Sequence, residues 1–433
     1  MRRMLQEWTG TKIGSSKARR VWDLVRHTVP DKADLKSEVT QTDKGPLDKV
    51  IQSQGVKIKT LDELLAFCEV DTDVWRVKSY KVNSWQSGMK TPKGPRVVQL
   101  FQVKAELERK LLPSHQPIRV RVTGPKVPKN ADGPIRRVCI LPDPQVGLMW
   151  ALPKYDALSP THDPKALDLA VQAIREFKPD AVVCLGDLLD ACEWGSYPHS
   201  PAHRQTTQPA LAVTAHWLAS IRAAAPEGCE VYICEGNHDA RLRKQIQASL
   251  PQACGVSAPG DGLEALDIRR LLGLDELDIE WVATPYTKSF YLWDRIRCIH
   301  GSIVRGKAGQ TVAAIATDAI IDTVMGHIHK REMCSKVIWG PDGPKTIQVM
   351  SPGCLTSTTG NTPGRTLEPS WTQAIGFAEW HVESDHLSMW SVPIIDGRML
   401  LNGRVLYGDG SGEEVAKATG YHQLIKGYED GQE

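Results

Sequence analysis

The stretch DAVVCLGDLLD, residues 180–190, decides how this chain is expected to fold. Its apolar run, Ala181 to Leu185, is too short for a buried helix and, with paired valines, reads as a buried strand. The run breaks at Gly186 and is followed at once by Asp187 and Asp190. Further along, EVYICEGNHD (230–239) repeats the plan: a strand, a glycine, then Asn237, His238 and Asp239.

Working outward, RRVCILPD (136–143), IEWVATPY (279–286), RIRCIHG (295–301), DTVMGHIH (322–329) and TIQVMSPG (346–353) are further short apolar runs ending in polar residues. Helical patterns such as PKALDLAVQAIREF (164–177) lie between several of them. Ligands of α/β sheets collect at the carboxyl ends of the strands, so this layout predicts that Asp143, Asp187, Asn237, His238, His300, His327 and His329 gather on one rim. Glycines before Asp187, Asn237 and His327 let the backbone turn sharply where strand meets loop. The two histidines of GHIH are two residues apart, which on an extended strand places both on one face. Carboxylate, amide and imidazole donors suit borderline-hard cations better than a thiolate site would. Two such ions about 3.5–4 Å apart can share a carboxylate and act together on a phosphorus centre.

In order, DPQ (143–145), GDLLD (186–190), GNHD (236–239), HG (300–301) and GHIH (326–329) resemble the motifs of the calcineurin-like metallophosphoesterase superfamily over about residues 136–385. The resemblance implies an α/β fold, a β-sandwich of two mixed sheets flanked by helices, with a dimetal site at the strand ends. It also implies that Asp143, Asp187 and His329 hold one cation. Asp187 as a bridge, with Asn237, His300 and His327, would hold the other. His238 would protonate the leaving oxygen without binding metal, and Asp239 and Asp190 would orient an imidazole. The implied cofactor is a pair of divalent cations, Mn²⁺ first, with Fe, Zn²⁺ or Mg²⁺ as the other choices. Ser351, Pro352 and Gly353 resemble the turn after the last metal strand. One position departs from the family: its first motif reads D-x-H, and here Gln145 stands in place of the histidine, a weaker neutral ligand. Arg241 and Arg305, just after GNHD and HG, are candidates to steady a substrate phosphate. His162, His199, His203, His216 and His381 lie outside the motifs and are read as structural.

The chain has 433 residues, too many for one ordinary core, and its 41% hydrophobic and 24% charged content fits soluble globular domains. No apolar stretch approaches about 18 residues, and MRRMLQEWTG lacks the apolar core of a secretory signal, so a cytoplasmic protein without a membrane partner is expected. The ten cysteines contain no C-x-x-C pair and are read as reduced core residues. Charge divides unevenly: residues 1–130 carry 26 Lys and Arg against 14 Asp and Glu, the remainder 27 against 37. A basic module beside an acidic, metal-binding one fits a nucleic-acid enzyme.

Four regions are expected: a basic, partly helical segment at 1–54, a small α+β module at 55–122 for nucleic-acid or partner binding, the metallophosphoesterase domain at 134–396, and a polar tail at 397–433. Within the first, KARRVWDLVRH (17–27) reads as a short helix and 30–55 as a loop or linker. Thr60 and Glu63 have capping-box spacing, and two strands joined by KTPKGP (90–95) follow, a winged-helix-like order. Trp75, Tyr80 and Trp85 lie among Arg76, Lys78 and Lys81, an arrangement suited either to stacking on a nucleic acid or to a small core. Residues 61–86 and 100–110 resemble the leader domain of phage-encoded metallophosphoesterases, which implies DNA processing in a host cytoplasm. The favoured function is a nucleic-acid phosphodiesterase akin to double-strand-break-repair nucleases, homo-oligomerisation being a further expectation. Two rivals stand beside it: a phosphomonoesterase or small-nucleotide phosphodiesterase, and a non-catalytic nucleic-acid-binding protein with a degenerate first metal site.

Overall fold

The computed structural model describes residues 38–43, 48–72, 75–91, 94–109, 133–150, 158–196, 200–260, 262–341, 343–358 and 370–410. The chain divides into two compact units, Met1–Leu111 and Leu112–Glu433. The expected basic helix at 17–27, the connector at 123–130 and His199 lie outside the described residues.

In the first unit, strands β1 (Glu38–Asp43), β2 (Asp48–Gly55), β3 (Trp75–Thr91) and β4 (Gly94–Arg109) form one antiparallel sheet in the order β1-β2-β4-β3. The loop expected at 30–55 is therefore corrected to a pair of strands. Their signal was hidden because the inward side of β2 carries Ile51 and Ser53, both fully buried, so the alternation lacks a second apolar residue. Helix α1 (Leu61–Phe67) starts at a capping box in which Thr60 and Glu63 bond each other's backbone amides. Its Leu64 packs on Ile51, Val103, Ala105 and Leu107. Among the described residues, four strands with one seven-residue helix stand where a winged-helix order was expected.

In the second unit, helix α2 (Pro164–Phe177) begins where Asp163 accepts from the amides of Lys165 and Ala166, and buries one face from Ala166 to Phe177. Strands β5 (Ile135–Leu141), β8 (Ala181–Cys184), β9 (Glu230–Cys234) and β10 (Glu280–Val282) run parallel; β16 (Ala374–His381) pairs antiparallel with β5, and β17 (His386–Pro393) antiparallel with β16. The short pair β6 (Leu148–Trp150) and β7 (Leu158–Pro160) stands apart from this sheet. A second mixed sheet has the order β11 (Phe290–Leu292), β12 (Ile296–Ile299), β13 (Asp322–Met325), β15 (Gly343–Pro352), β14 (Arg331–Gly340). Val138, Ile140, Val183 and Leu185 of the first sheet share a core with Cys298, Val324 and Met350 of the second, which makes a sandwich. On the other side of β16, Phe377 meets Phe177 of α2 edge-on at 4.9 Å and stacks on Trp390. Helix α3 (Thr207–Ala224) lies beside α2, joined by a bond from Trp217 Nε1 to the Leu167 carbonyl.

The residues after Gly397 were expected to be a polar tail. Instead β18 (Arg398–Leu401) and β19 (Arg404–Tyr407) form a hairpin with Met399 and Leu401 buried, and Tyr407 accepts from Gln172 of α2. Residues 411–433 lie outside the described residues. Phe377→Ala is expected to lower unfolding free energy by about 3–5 kcal/mol, the usual cost of emptying a fully buried aromatic site. A denaturant titration showing a loss below about 1 kcal/mol would contradict this core assignment.

Candidate metal centre

Five loops leave the carboxyl ends of the parallel strands. Asp143 follows β5, Asp187 follows β8, Asn237 to Asp239 follow β9, His300 follows β12, and His327 and His329 follow β13. Both sheets therefore contribute to one rim.

The local backbone is unusual. Asp143, Gln145, Asp187, His327 and His329 have φ of 41, 43, 52, 71 and 56°, in the left-handed region. Such conformations cost non-glycine residues about 1–3 kcal/mol each and persist only where surrounding contacts enforce them. GHIH is thus a bend and not the extended strand expected from its spacing, and the two imidazoles are brought to the cluster by left-handed turns. The enforcing contacts are backbone amides. His327 N donates to Asp143 Oδ1 and Oδ2 at 2.9 and 3.0 Å, and His238 N donates to Asp187 Oδ1 at 2.8 Å. Gly236 is required because a Cβ there would stand 2.0 Å from Asp187 N.

Two overlapping groups of donors result: Asp187, His300 and His327, and Asp143, Asp187 and His329, each with its donor atoms within 4.8 Å of one another. Donors about 2.1 Å from one ion lie at most about 4.2 Å apart, so only a small contraction is needed to enclose a cation. His300 Nε2 to Asp187 Oδ1 is 3.4 Å, and His329 Nε2 to Asp143 Oδ1 is 3.5 Å, already inside that limit. Asn237 Oδ1 is 2.8 Å from His300 Nε2, which places the amide with the first group.

The protonation pattern suits metal binding. His300 Nδ1 donates to the Leu185 carbonyl at 2.9 Å, which leaves Nε2, facing Asp187 and Asn237, as the nitrogen to offer a cation. Burial favours the neutral ring, but the Asp187 and Asp143 charges outweigh it and raise the imidazole, so a cation bound there would displace the Nε2 proton. Burial and the neighbouring His300 push His327 down to about 4, so it is neutral near pH 7. Burial would raise the Asp187 carboxyl, but His238 and His300 outweigh it and hold that group below the usual carboxylate range. Buried carboxylates, imidazoles and an amide oxygen on separate loops fit divalent cations.

His238 stands beside this cluster, its Nε2 3.8 Å from Asp187 Oδ2. Nδ1 donates to the Asp190 carbonyl at 2.9 Å and lies 3.3 Å from Asp190 Oδ1. Nε2 meets Arg241 Nη2 at 2.9 Å, a contact only the neutral ring accepts. Burial also favours the neutral ring, yet Asp187 and Asp190 together raise the imidazole above its ordinary value. Charging His238 therefore requires the guanidinium to leave Nε2, and Arg241 Nη1 is meanwhile tied to the Asp190 carbonyl.

Other expected residues fall differently. Asp239 orients no imidazole: it accepts from the amides of Gly236 and Leu189, tying two loops together, and burial with the Asp187 charge raises its carboxyl. Gln145 turns its Nε2 toward Asp187 Oδ2 at 3.2 Å, so offering the carbonyl oxygen to a cation requires the amide to turn over. Arg305 is in an exposed loop, where its backbone amide bonds Thr311 Oγ1, and none of the cluster's bonds involves it. His162 bonds Gly147 and His381 bonds Ser384, both away from the donors. Two aromatics escaped the sequence reading: Trp371, edge-on to His329 at 4.4 Å, and Tyr286, edge-on to His300 at 6.4 Å. Tyr286 ends a strand run at the rim, a usable signal; Trp371 carried none.

Residues 138–339 match the family model for calcineurin-like phosphoesterases. Over that span the second unit is similar to the calcineurin-like phosphoesterases, a family that uses divalent metals. The sheets run beyond the matched span, since β15, β16 and β17 follow it and complete both of them. A comparison with curated proteins finds no significant match to the chain. No helix among the described residues is long and apolar enough to cross a membrane.

Asp187→Asn is expected to deplete both cations together, because its carboxylate belongs to both donor groups. Elemental analysis after dialysis would refute the sharing if both ions stayed at wild-type content. Gly236→Ala should give the same double loss through the clash with Asp187.

Proposed function

We propose that this chain is a dimetal phosphodiesterase acting on nucleic acid, with Mn²⁺ as its preferred cation. The observation that carries the reading is Asp187, whose carboxylate is common to two adjacent donor groups. Asp143, Asp187 and His329 would hold one cation; Asp187, Asn237, His300 and His327 the other. When bound, the pair supplies Lewis-acid polarisation of phosphate oxygens and acidifies water. The chain's own residues do the rest. Asp143 and Asp187, fixed by backbone amides, keep the donors in place, and Arg241 presents a planar guanidinium to a phosphate oxygen. Moving Arg241 onto that oxygen frees His238 Nε2, which then carries the proton delivered to the leaving oxygen.

The choice of nucleic acid is supported by the first unit. On the face of its sheet opposite α1, which carries no helix among the described residues, Lys81 and Lys104 are direct cross-strand partners, with Trp85 further along the same side. Like charges opposite one another on a sheet repel, and an anionic strand relieves that repulsion. The excess of Lys and Arg in residues 1–130 points the same way.

The test sets a generic phosphodiester against a phosphomonoester, then linear against circular DNA, each with Mn²⁺ and with EDTA. The diester and DNA should be hydrolysed, and EDTA should abolish both activities; turnover of monoesters alone overturns the proposal. His238→Ala should slow hydrolysis by about 10²–10⁴-fold while metal content stays at wild-type level, as for a proton donor. Loss of metal in that variant would assign His238 to the cation cage instead.

A further inference from the structure

Helix α4 (Ala240–Ser249) starts immediately after the GNHD loop and carries a row of side chains away from the metal rim. Arg241 is one turn beyond His238, its amide bonded to the His238 carbonyl at 3.0 Å, and Lys244 is one turn beyond Arg241. The Lys244 ammonium is exposed and sits 4.6 Å from the centroid of the Tyr286 ring. That ring, in turn, stands edge-on to His300 of the metal centre.

The platform is fixed from beneath. Tyr286 N donates to Glu235 Oε2 at 2.8 Å, and Glu235, buried and paired with Arg243 at 3.0 Å, lies next to the GNHD loop itself. The lysine is therefore held over an aromatic face that is itself registered to the metal donors. Among the described residues Lys244 lies over the Tyr286 ring and pairs with no carboxylate.

The geometry points to Lys244, held on Tyr286, as the receptor for the phosphate that flanks the scissile phosphodiester in a nucleic-acid strand. This inference rests on the nucleic-acid reading of the same site and adds to it the subsite that distinguishes a polymer from a small diester. Residues three apart lie on one face of a helix. Arg241 beside His238 and Lys244 one turn on therefore present two cations in a row leading from the metal rim, the order in which a strand would present its reacting phosphate and the next. Tyr286 contributes by restricting the lysine, so less side-chain freedom is lost when the phosphate arrives.

The experiment compares a dinucleoside monophosphate, which has only the scissile phosphate, with a trinucleotide that has a flanking one, in the metal-loaded full chain. Lys244→Ala and Tyr286→Ala should lower kcat/KM for the trinucleotide about tenfold more than for the dinucleoside monophosphate, the size of one charge-assisted contact. The excess loss should appear in KM, the salt dependence of trinucleotide binding should become shallower by about one counterion, and Lys244→Arg should restore most of it. Equal loss on both substrates, or no loss, overturns the inference while leaving the nucleic-acid reading standing. A wild-type chain that hydrolyses small diesters but neither nucleotide substrate overturns that reading and the inference with it.

Discussion

Two carboxylates without access to solvent, Asp143 and Asp187, are the constraint on which the second unit is organised. A buried charge is tolerated only when paired and hydrogen-bonded. Here the compensation comes from the backbone amides of His327 and His238 and from surrounding imidazoles. Because those amides belong to loops after different strands, satisfying the carboxylates also sets the relative positions of the loops. The left-handed residues at the rim are the local cost of that arrangement, and the packed sheets beneath offset it.

The same constraint explains why the donors converge from both halves of the sandwich. Asp143, Asp187 and Asn237 hang from the first sheet, while His300, His327 and His329 hang from the second. The shared core of Val138, Ile140, Val183, Cys298, Val324 and Met350 holds the two sets of strand ends at a fixed separation. Core packing and metal affinity are therefore one problem in this unit: a shift of one sheet against the other moves three donors relative to the other three.

Much of this was legible from residue order. Short apolar runs ending in Gly-Asp, Gly-Asn-His or His-Gly announce strands that deliver polar groups to a rim, since strand ends are where backbone and side chains leave the sheet. The reading failed where a pattern depended on partners distant in the chain. β2 hid its alternation behind a buried serine, the hairpin after Gly397 drew its burial from α2, and GHIH kept its spacing but not its strand conformation. Asp239 shows the limit most sharply: its neighbours in sequence suggested an imidazole partner, but its oxygens accept from the amides of Gly236 and Leu189.

By itself the sequence determined the fold class, which polar residues stand at the strand ends and the glycine at 236, because periodicity, chemical type and steric size are carried by each residue. Only the tertiary structure decided that Arg241 caps His238, that Gln145 presents its amide nitrogen, and that Tyr286 stands against His300. Apart from Arg241 and His238, three residues apart, those are relations between groups separated along the chain. They follow from how loops of two sheets approach one another, a matter of packing and hydrogen-bond geometry that no local pattern encodes.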